Sequence, residues 1–208
     1  MSRPARQALH AELIGEIVLL QVQHTRVKFR VPGVRGEQYN PTGYGAVPAL
    51  LLERAGVTGL ASDGVETLDL HHSDHPFSRD RGGKNSISLA FTSHYAAMRD
   101  RFGPHMADGM AGENILVRTA RIYDPHELAG GLLIARRDGI TLDLGGVIVA
   151  EPCAPFARYA TDPDGERAQD KRSTDALLFL RGGMRGYYAG YRGEPARIGT
   201  GDRLYRRR

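Results

Sequence analysis

The sequence predicts a mainly β protein, a barrel with a few helices on its outside. Three observations lead there. From Asn114 onward, short apolar runs follow one another, separated by Gly130-Gly131, Asp138-Gly139 and Gly145-Gly146. Glycine is abundant, at 26 residues of 208 with 11 prolines beside it, against an ordinary glycine share of about 7%. Only one segment has both a clear helical start and a clear stop. Many short strands are most stable when closed on themselves, because closure removes the unpaired edges that invite aggregation.

Taken in order, residues 13–23 are apolar and β-branched enough for an opening strand. Residues 31–64 are broken by Pro32, Gly33, Gly36, Pro41, Gly43, Gly45, Gly56 and Gly59, leaving room for short elements, with one helical turn expected at 48–52. Residues 65–70 alternate with period two and read as a half-buried strand. Thr92 or Ser93 caps a helix carrying Tyr95, Met98 and Phe102, stopped by Gly103-Pro104. Strands follow at 115–118, 132–137, 140–144 and 147–150, with hairpin chemistry in the Asp-Gly and Gly-Gly pairs between them. Residues 165–171 read as a polar loop and 175–180 as a short helix; strands at 186–191 and 203–205 close the chain.

A chain of 208 residues is one domain, 1–208, and buries roughly 70% of its unfolded surface. Cys153 is the sole cysteine, so no disulfide framework is available. No segment approaches the roughly 20 apolar residues of a membrane helix. The run Ile17-Val18-Leu19-Leu20 follows Glu12 and Glu16 and is too short for a signal peptide's apolar region. The expectation is a soluble, cytoplasmic protein without a membrane partner.

The formal charge of +4 and pI near 9.4 come from arginine, since lysine occurs only at 28, 84 and 171. Arg181, Arg185, Arg192, Arg197, Arg203, Arg206, Arg207 and Arg208 face only Glu194 and Asp202 in the final stretch. Such an end attracts phosphate in any form, and arginine favours planar, bidentate anions. The closing triplet in the basic end 203–208 reads as a solvated, frayed terminus. No alternation of aromatic and basic residues accompanies it, which argues against a nucleic-acid partner.

Several places could carry chemistry. Cys153 stands in Glu151-Pro152-Cys153-Ala154-Pro155, where flanking prolines end a strand. A lone cysteine commonly fills core space; a presented thiolate is a soft ligand or nucleophile. Gly112-Glu113-Asn114 offers a general acid or base and an amide, or an ordinary turn bonding its own backbone. His71, His72, Asp74 and His75 cluster after a strand and suit proton transfer, a borderline metal, or a solvated turn. In an extended chain His71 and His72 point to opposite faces, so one of them serves a shared site. Gly82-Gly83-Lys84 lacks the first glycine of a phosphate loop, and Asn85 replaces the magnesium-holding hydroxyl. Neither Gly-x-Ser-x-Gly nor His-Glu-x-x-His occurs, which removes serine hydrolase and zincin chemistry. Arg185 opens a strand from which it reaches a phosphate, and Gly201-Asp202 forms a turn.

In this order the pieces resemble the MOSC domain, the module at the C-terminus of molybdenum cofactor sulfurases that also occurs as stand-alone bacterial proteins. The resemblance rests on Gly59-Leu60 with Asp63 and His71-His72, on Gly109-Met110-Ala111-Gly112-Glu113-Asn114, on Glu151-Pro152-Cys153, on Arg185-Gly186-Tyr187 and on Gly199-Thr200-Gly201-Asp202, spanning about 59–206. Ser73-Asp74 stand where stand-alone members commonly have two glycines. The family implies a MOSC-type β-barrel and a cysteine that ligates molybdenum or carries sulfur. In some members it implies reduction of N-hydroxylated bases or amines, the work of a molybdenum-dependent oxidoreductase with a small-molecule substrate. The resemblance then makes Cys153 the metal ligand and a catalytic residue, Glu113 or His72 the proton donor, and Asn114 and Arg185 cofactor contacts. It implies molybdenum cofactor (molybdopterin) and an electron-donor protein. The alternatives are a persulfide sulfur carrier, whose pyridoxal phosphate would sit on a separate sulfurase partner, and a non-enzymatic cofactor-binding module.

Overall fold

The computed structural model describes residues 11–33, 36–78, 86–164 and 171–208. The Gly82-Gly83-Lys84 stretch and residues 165–170 of the expected loop lie outside the described residues.

The barrel that the sequence predicts is present, and seven strands close it as a mixed sheet. They are β1 (Ala11–Gln23), β8 (Ile87–Phe91), β9 (Ile115–Arg118), β10 (Leu132–Ala135), β11 (Thr141–Val149), β12 (Tyr187–Tyr191) and β14 (Arg203–Arg207). Around the ring the order is β1-β14-β10-β11-β12-β8-β9 and back to β1. Every pair is antiparallel except β8–β9. A parallel pair cannot be joined by a tight turn. Helix α1 (Thr92–Phe102) begins that crossover, and residues 103–114 return the chain to β9.

β1 is long enough to serve three neighbours. Its register shifts at Leu13/Gly15 and Ile17/Leu19 let it pair with β14 and β9, and its last residues with β4 (Tyr44–Ala46). A second sheet, β13-β5-β6-β7, packs against the barrel from β5 (Ala49–Glu53), β6 (Gly56–Leu60), β7 (Glu66–Leu68) and β13 (Ala196–Gly199). A hairpin of β2 (Lys28–Arg30) and β3 (Glu37–Tyr39) packs on the helix Ala154–Thr161, Tyr39 against Phe156.

Ile17, Leu20, Leu50, Leu52, Phe91, Ile134 and Leu144 fill the main core. A second apolar layer holds α1, α3 (Ala154–Thr161) and α4 (Lys171–Leu180) on the outside, through Tyr95, Met98, Phe156, Ala157, Ala176 and Leu180. The short α2 (Pro125–Leu128) opens on a capping box of Asp124 and Glu127.

Several expectations need correction. Residues 48–52 form no helical turn: β5 runs there, buried between β13 and β6. Gly145-Gly146 is no hairpin; one strand, β11, runs through it, and a register shift against β12 absorbs the pair as a bulge. The helix expected at 175–180 starts at Lys171. The closing arginines are not frayed: Arg206 and Arg207 lie in β14, where Arg206 reaches Glu12 at 2.8 Å and Glu127 at 3.3 Å, and Arg207 pairs with Asp143. Arg208 adds a bridge to Glu12 at 3.5 Å. No helix among the described residues is long and apolar enough to cross a membrane.

Candidate functional site

Cys153 is placed by the end of β11 and the start of α3. Pro152 and Pro155 stop the strand and start the helix, the second proline occupying the first turn where no amide donor is needed. Cys153 is the N-cap residue of α3, its carbonyl accepts the Ala157 N–H at 3.0 Å, and its thiol makes no capping bond. The side chain is half-buried at the wall of a cavity of about 270 Å³.

The cavity lies between the β2–β3 hairpin, the turn that follows β7, the start of α3 and the barrel. Tyr39 and Tyr44 line one wall, their hydroxyls 2.6 Å apart, and Tyr39 donates on to the Met110 carbonyl at 2.8 Å. Phe156, Phe77 and Tyr188 add further aromatic surface, and Gly112 and Ser88 form the floor. Gly112 has φ +80, and a Cβ there would stand 2.1 Å from Tyr44 Cζ, so only glycine lets this ring close over the loop.

Three cations face the same space. Arg185 is turned in by the 181–186 turn, donates from Nη2 to the Ala111 carbonyl at 2.9 Å, and lies 5.9 Å from the Tyr188 ring. Burial pulls its pKa down, but Tyr188, Tyr39, Tyr44 and Cys153 outweigh that, so it stays a cation. Arg26 and Lys28 stand on the exposed side, Arg26 stacking on Phe77 at 5.1 Å. None of the three forms an ion pair with a carboxylate among the described residues.

Glu113 and Asn114 do not line the cavity; they sit behind its floor. Glu113 is 2% exposed, its Oε2 accepts from Tyr95, and its Oε1 has no hydrogen-bond partner among the described residues. Burial pushes its pKa up to about 7, against the opposing pull of the Tyr95 hydrogen bond and the Arg185 charge. Asn114 has no group left for a cofactor. Its Oδ1 accepts from the Ser88 N–H and hydroxyl, and its Nδ2 donates to the Gln21 carbonyl and Asp69 Oδ2. The expected cofactor contact is instead a brace under the site.

His72 is corrected likewise. It is 3% exposed, accepts the Asp74 N–H on Nδ1, and lies 3.7 Å from Glu53, away from the cavity. His71 lines the cavity. The strand has already ended at Leu68, so a turn and not strand alternation decides which ring faces in. Gly56, at φ +140, allows the His72 backbone to pack where a Cβ would stand 2.7 Å from its Cα. Asp74 is exposed and His75 packs near Phe77, so they build no shared centre with His71. No cluster of metal-ligating side chains forms among the described residues. Asp69, missed in the sequence reading, lies fully buried beneath His71; its only sequence signal is an Asp-x-His spacing at a strand end.

The cavity thus sets one soft thiol beside three cations that form no ion pair, with the exposed carboxylates Glu37 and Glu151 on the same wall. No family model matches the sequence, and no curated protein matches it. Among solved structures, the chain is similar to the YUAD protein from Bacillus subtilis, with 18% identity over 95% of each chain and a TM-score of 0.53. YiiM from Escherichia coli aligns at 15% identity over 77% of this chain and 63% of that one, with a TM-score of 0.48. YiiM from Geobacillus stearothermophilus aligns at 11% identity over 93% and 73%, with a TM-score of 0.47. The likeness to the YUAD protein is one of fold: both are mainly β chains, and this one is built on a closed seven-stranded barrel.

Proposed function

We propose that the cavity binds molybdenum cofactor through the Cys153 thiolate and that the protein reduces N-hydroxylated bases or amines to the amines. The observation that carries this reading is the sole cysteine at the wall of a cavity that also receives the unpaired Arg185, Arg26 and Lys28. When bound, the cofactor supplies the oxygen-accepting redox centre.

The overall change takes R–NHOH, two electrons and two protons to R–NH₂ and water. The electrons come from an electron-donor protein. Cys153 ligates the metal, Arg185 anchors the phosphate with Arg26 and Lys28 nearer the mouth, and Tyr39, Tyr44 and Phe156 exclude water. Glu113, its pKa raised to about 7 by burial, stands behind the cavity floor with Oε1 unpartnered, so as a general acid it would pass its proton to the substrate through an intervening water.

The test is elemental analysis of protein purified from a host that makes the cofactor, together with turnover of 6-hydroxylaminopurine on reduced methyl viologen. Stoichiometric molybdenum and turnover, both lost in Cys153→Ser, are expected. Molybdenum without turnover points to a cofactor-binding module. A labelled persulfide on Cys153 without molybdenum points to a sulfur carrier fed by a separate sulfurase.

A further inference from the structure

Asp69 is 1% exposed and gathers four donors. The Gln23 N–H and Asn114 Nδ2 reach Oδ2 at 2.7 and 2.8 Å, while the His71 N–H and Nδ1 reach Oδ1, both at 2.9 Å. Burial raises the Asp69 pKa, but the His71 and Gln23 hydrogen bonds overcome it and hold the carboxyl below its ordinary value. An ionised carboxylate only accepts, so Nδ1 of His71 must carry the hydrogen. A neutral imidazole has one such hydrogen, which leaves Nε2 with a bare lone pair.

The ring is fixed as firmly as its tautomer. The Asp69 N–H bonds to Val57 O at 2.9 Å, the Leu70 N–H to Gln23 O at 2.8 Å, the His72 N–H to Asp69 O at 2.9 Å, and the Ser73 N–H to Ala55 O at 2.7 Å. His71 is therefore tied to the long barrel strand and to the second sheet at once. Its side chain is 35% exposed and lines the cavity. The neighbouring polar groups there differ in kind: Arg26, Lys28 and Arg185 only donate, the Tyr39 hydroxyl gives its hydrogen to Met110 and accepts from Tyr44, and the carboxylates on the wall, Glu37 and Glu151, stand exposed at its solvent side.

We infer that His71 Nε2 orients the bound small molecule by accepting a hydrogen bond from its hydroxylamino O–H, and that Asp69 is the positioning residue that fixes this tautomer. The identity of the small molecule rests on the proposed reductase reading; the tautomer does not. An N-hydroxylamino group carries both kinds of donor, whereas its O-methyl ether has lost the hydroxyl.

The first test needs no cofactor. A long-range proton–nitrogen spectrum of ¹⁵N-labelled protein near pH 8 is assigned by the signal lost in His71→Gln. An Nδ1-protonated, Nε2-bare ring is expected, with exchange between tautomers in Asp69→Ala. An Nε2-protonated ring in the wild type overturns the inference, whether or not the Asp69 variant folds. The second test is calorimetric binding of 6-hydroxylaminopurine and its O-methyl ether to cofactor-loaded protein without an electron donor. The wild type should prefer the parent about 10-fold, the worth of one hydrogen bond, and His71→Ala should bind both alike. An undiminished preference in His71→Ala overturns the role of Nε2. Protein without molybdenum overturns the cofactor reading and leaves the spectrum to decide the tautomer.

Discussion

The Tyr95 hydroxyl donates to Glu113 Oε2 at 2.7 Å while accepting the Ala111 N–H at 2.9 Å. The Ala111 carbonyl in turn accepts from Arg185 at 2.9 Å. The loop before β9 thus couples a buried carboxyl to the cavity's inner cation through one helix residue. Local sequence spacing names Glu113 and Arg185 but not Tyr95, which joins them.

That arrangement has a pH signature. Burial raises Glu113 from an ordinary 4.5 to about 7, with Tyr95 opposing. Between those values the unfolded chain has released a proton that the folded chain keeps, so this group lowers stability as pH rises and has no effect below the range. Glu113→Gln should therefore be more stable than the wild type near pH 8, by up to roughly 3 kcal/mol, and equally stable near pH 4. Urea unfolding of both proteins at both values checks this. In the turnover assay the same variant should keep its molybdenum and lose on the order of 10²–10⁴ in rate.

What the sequence made legible was mostly local. The α1 helix and β9 follow from a stop at Gly103-Pro104 and an apolar run after Asn114. β5 was misread because Ala49-Leu50-Leu51-Leu52 lies between two strands, and a doubly covered strand has no alternation to distinguish it from a helical turn. Gly145-Gly146 permits either a turn or a bulge; pairing of both halves of β11 with β12 decides it, and that pairing is not local. In the site, the prolines mark Cys153, and Pro155 is also the start signal of α3, which begins directly after it. The Gly-Glu-Asn motif marks Asn114, but its partners Gln21 and Asp69 are distant in sequence, so its bracing role is not local information.

Gly112→Ala should disturb the cavity without touching its chemical groups. At φ +80 an alanine pays strain of about 1–3 kcal/mol. Its Cβ also displaces Tyr44 and breaks the 2.6 Å contact with Tyr39. A lower denaturation midpoint and weaker cofactor retention are expected together, read by urea unfolding and molybdenum content.

Removal of residues 206–208 should destabilise the fold. Arg206 is partnered in register by Glu12 on one side and Leu132 on the other, so the deletion opens both seams of β14. It also takes away the bridges to Glu12, Glu127 and Asp143. A melting temperature lower by several degrees is expected; an unchanged value would return these arginines to the status of a loose end.

Cofactor occupancy should control access to Cys153. The thiol is half-buried at the cavity wall and carries no hydrogen bond as a cap, so in cofactor-free protein iodoacetamide should alkylate it without unfolding. A thiolate committed to a metal is no longer a free nucleophile, and a ligand seated against Arg185 fills the approach. Cofactor-loaded protein should therefore be alkylated far more slowly, and Arg185→Gln, which keeps an N–H for the Ala111 carbonyl but loses the charge, should lose that protection along with its molybdenum. Because the chain has one cysteine, intact mass reports the site directly. Equal alkylation of loaded and cofactor-free protein would separate Cys153 from the metal and leave the cavity without its soft ligand.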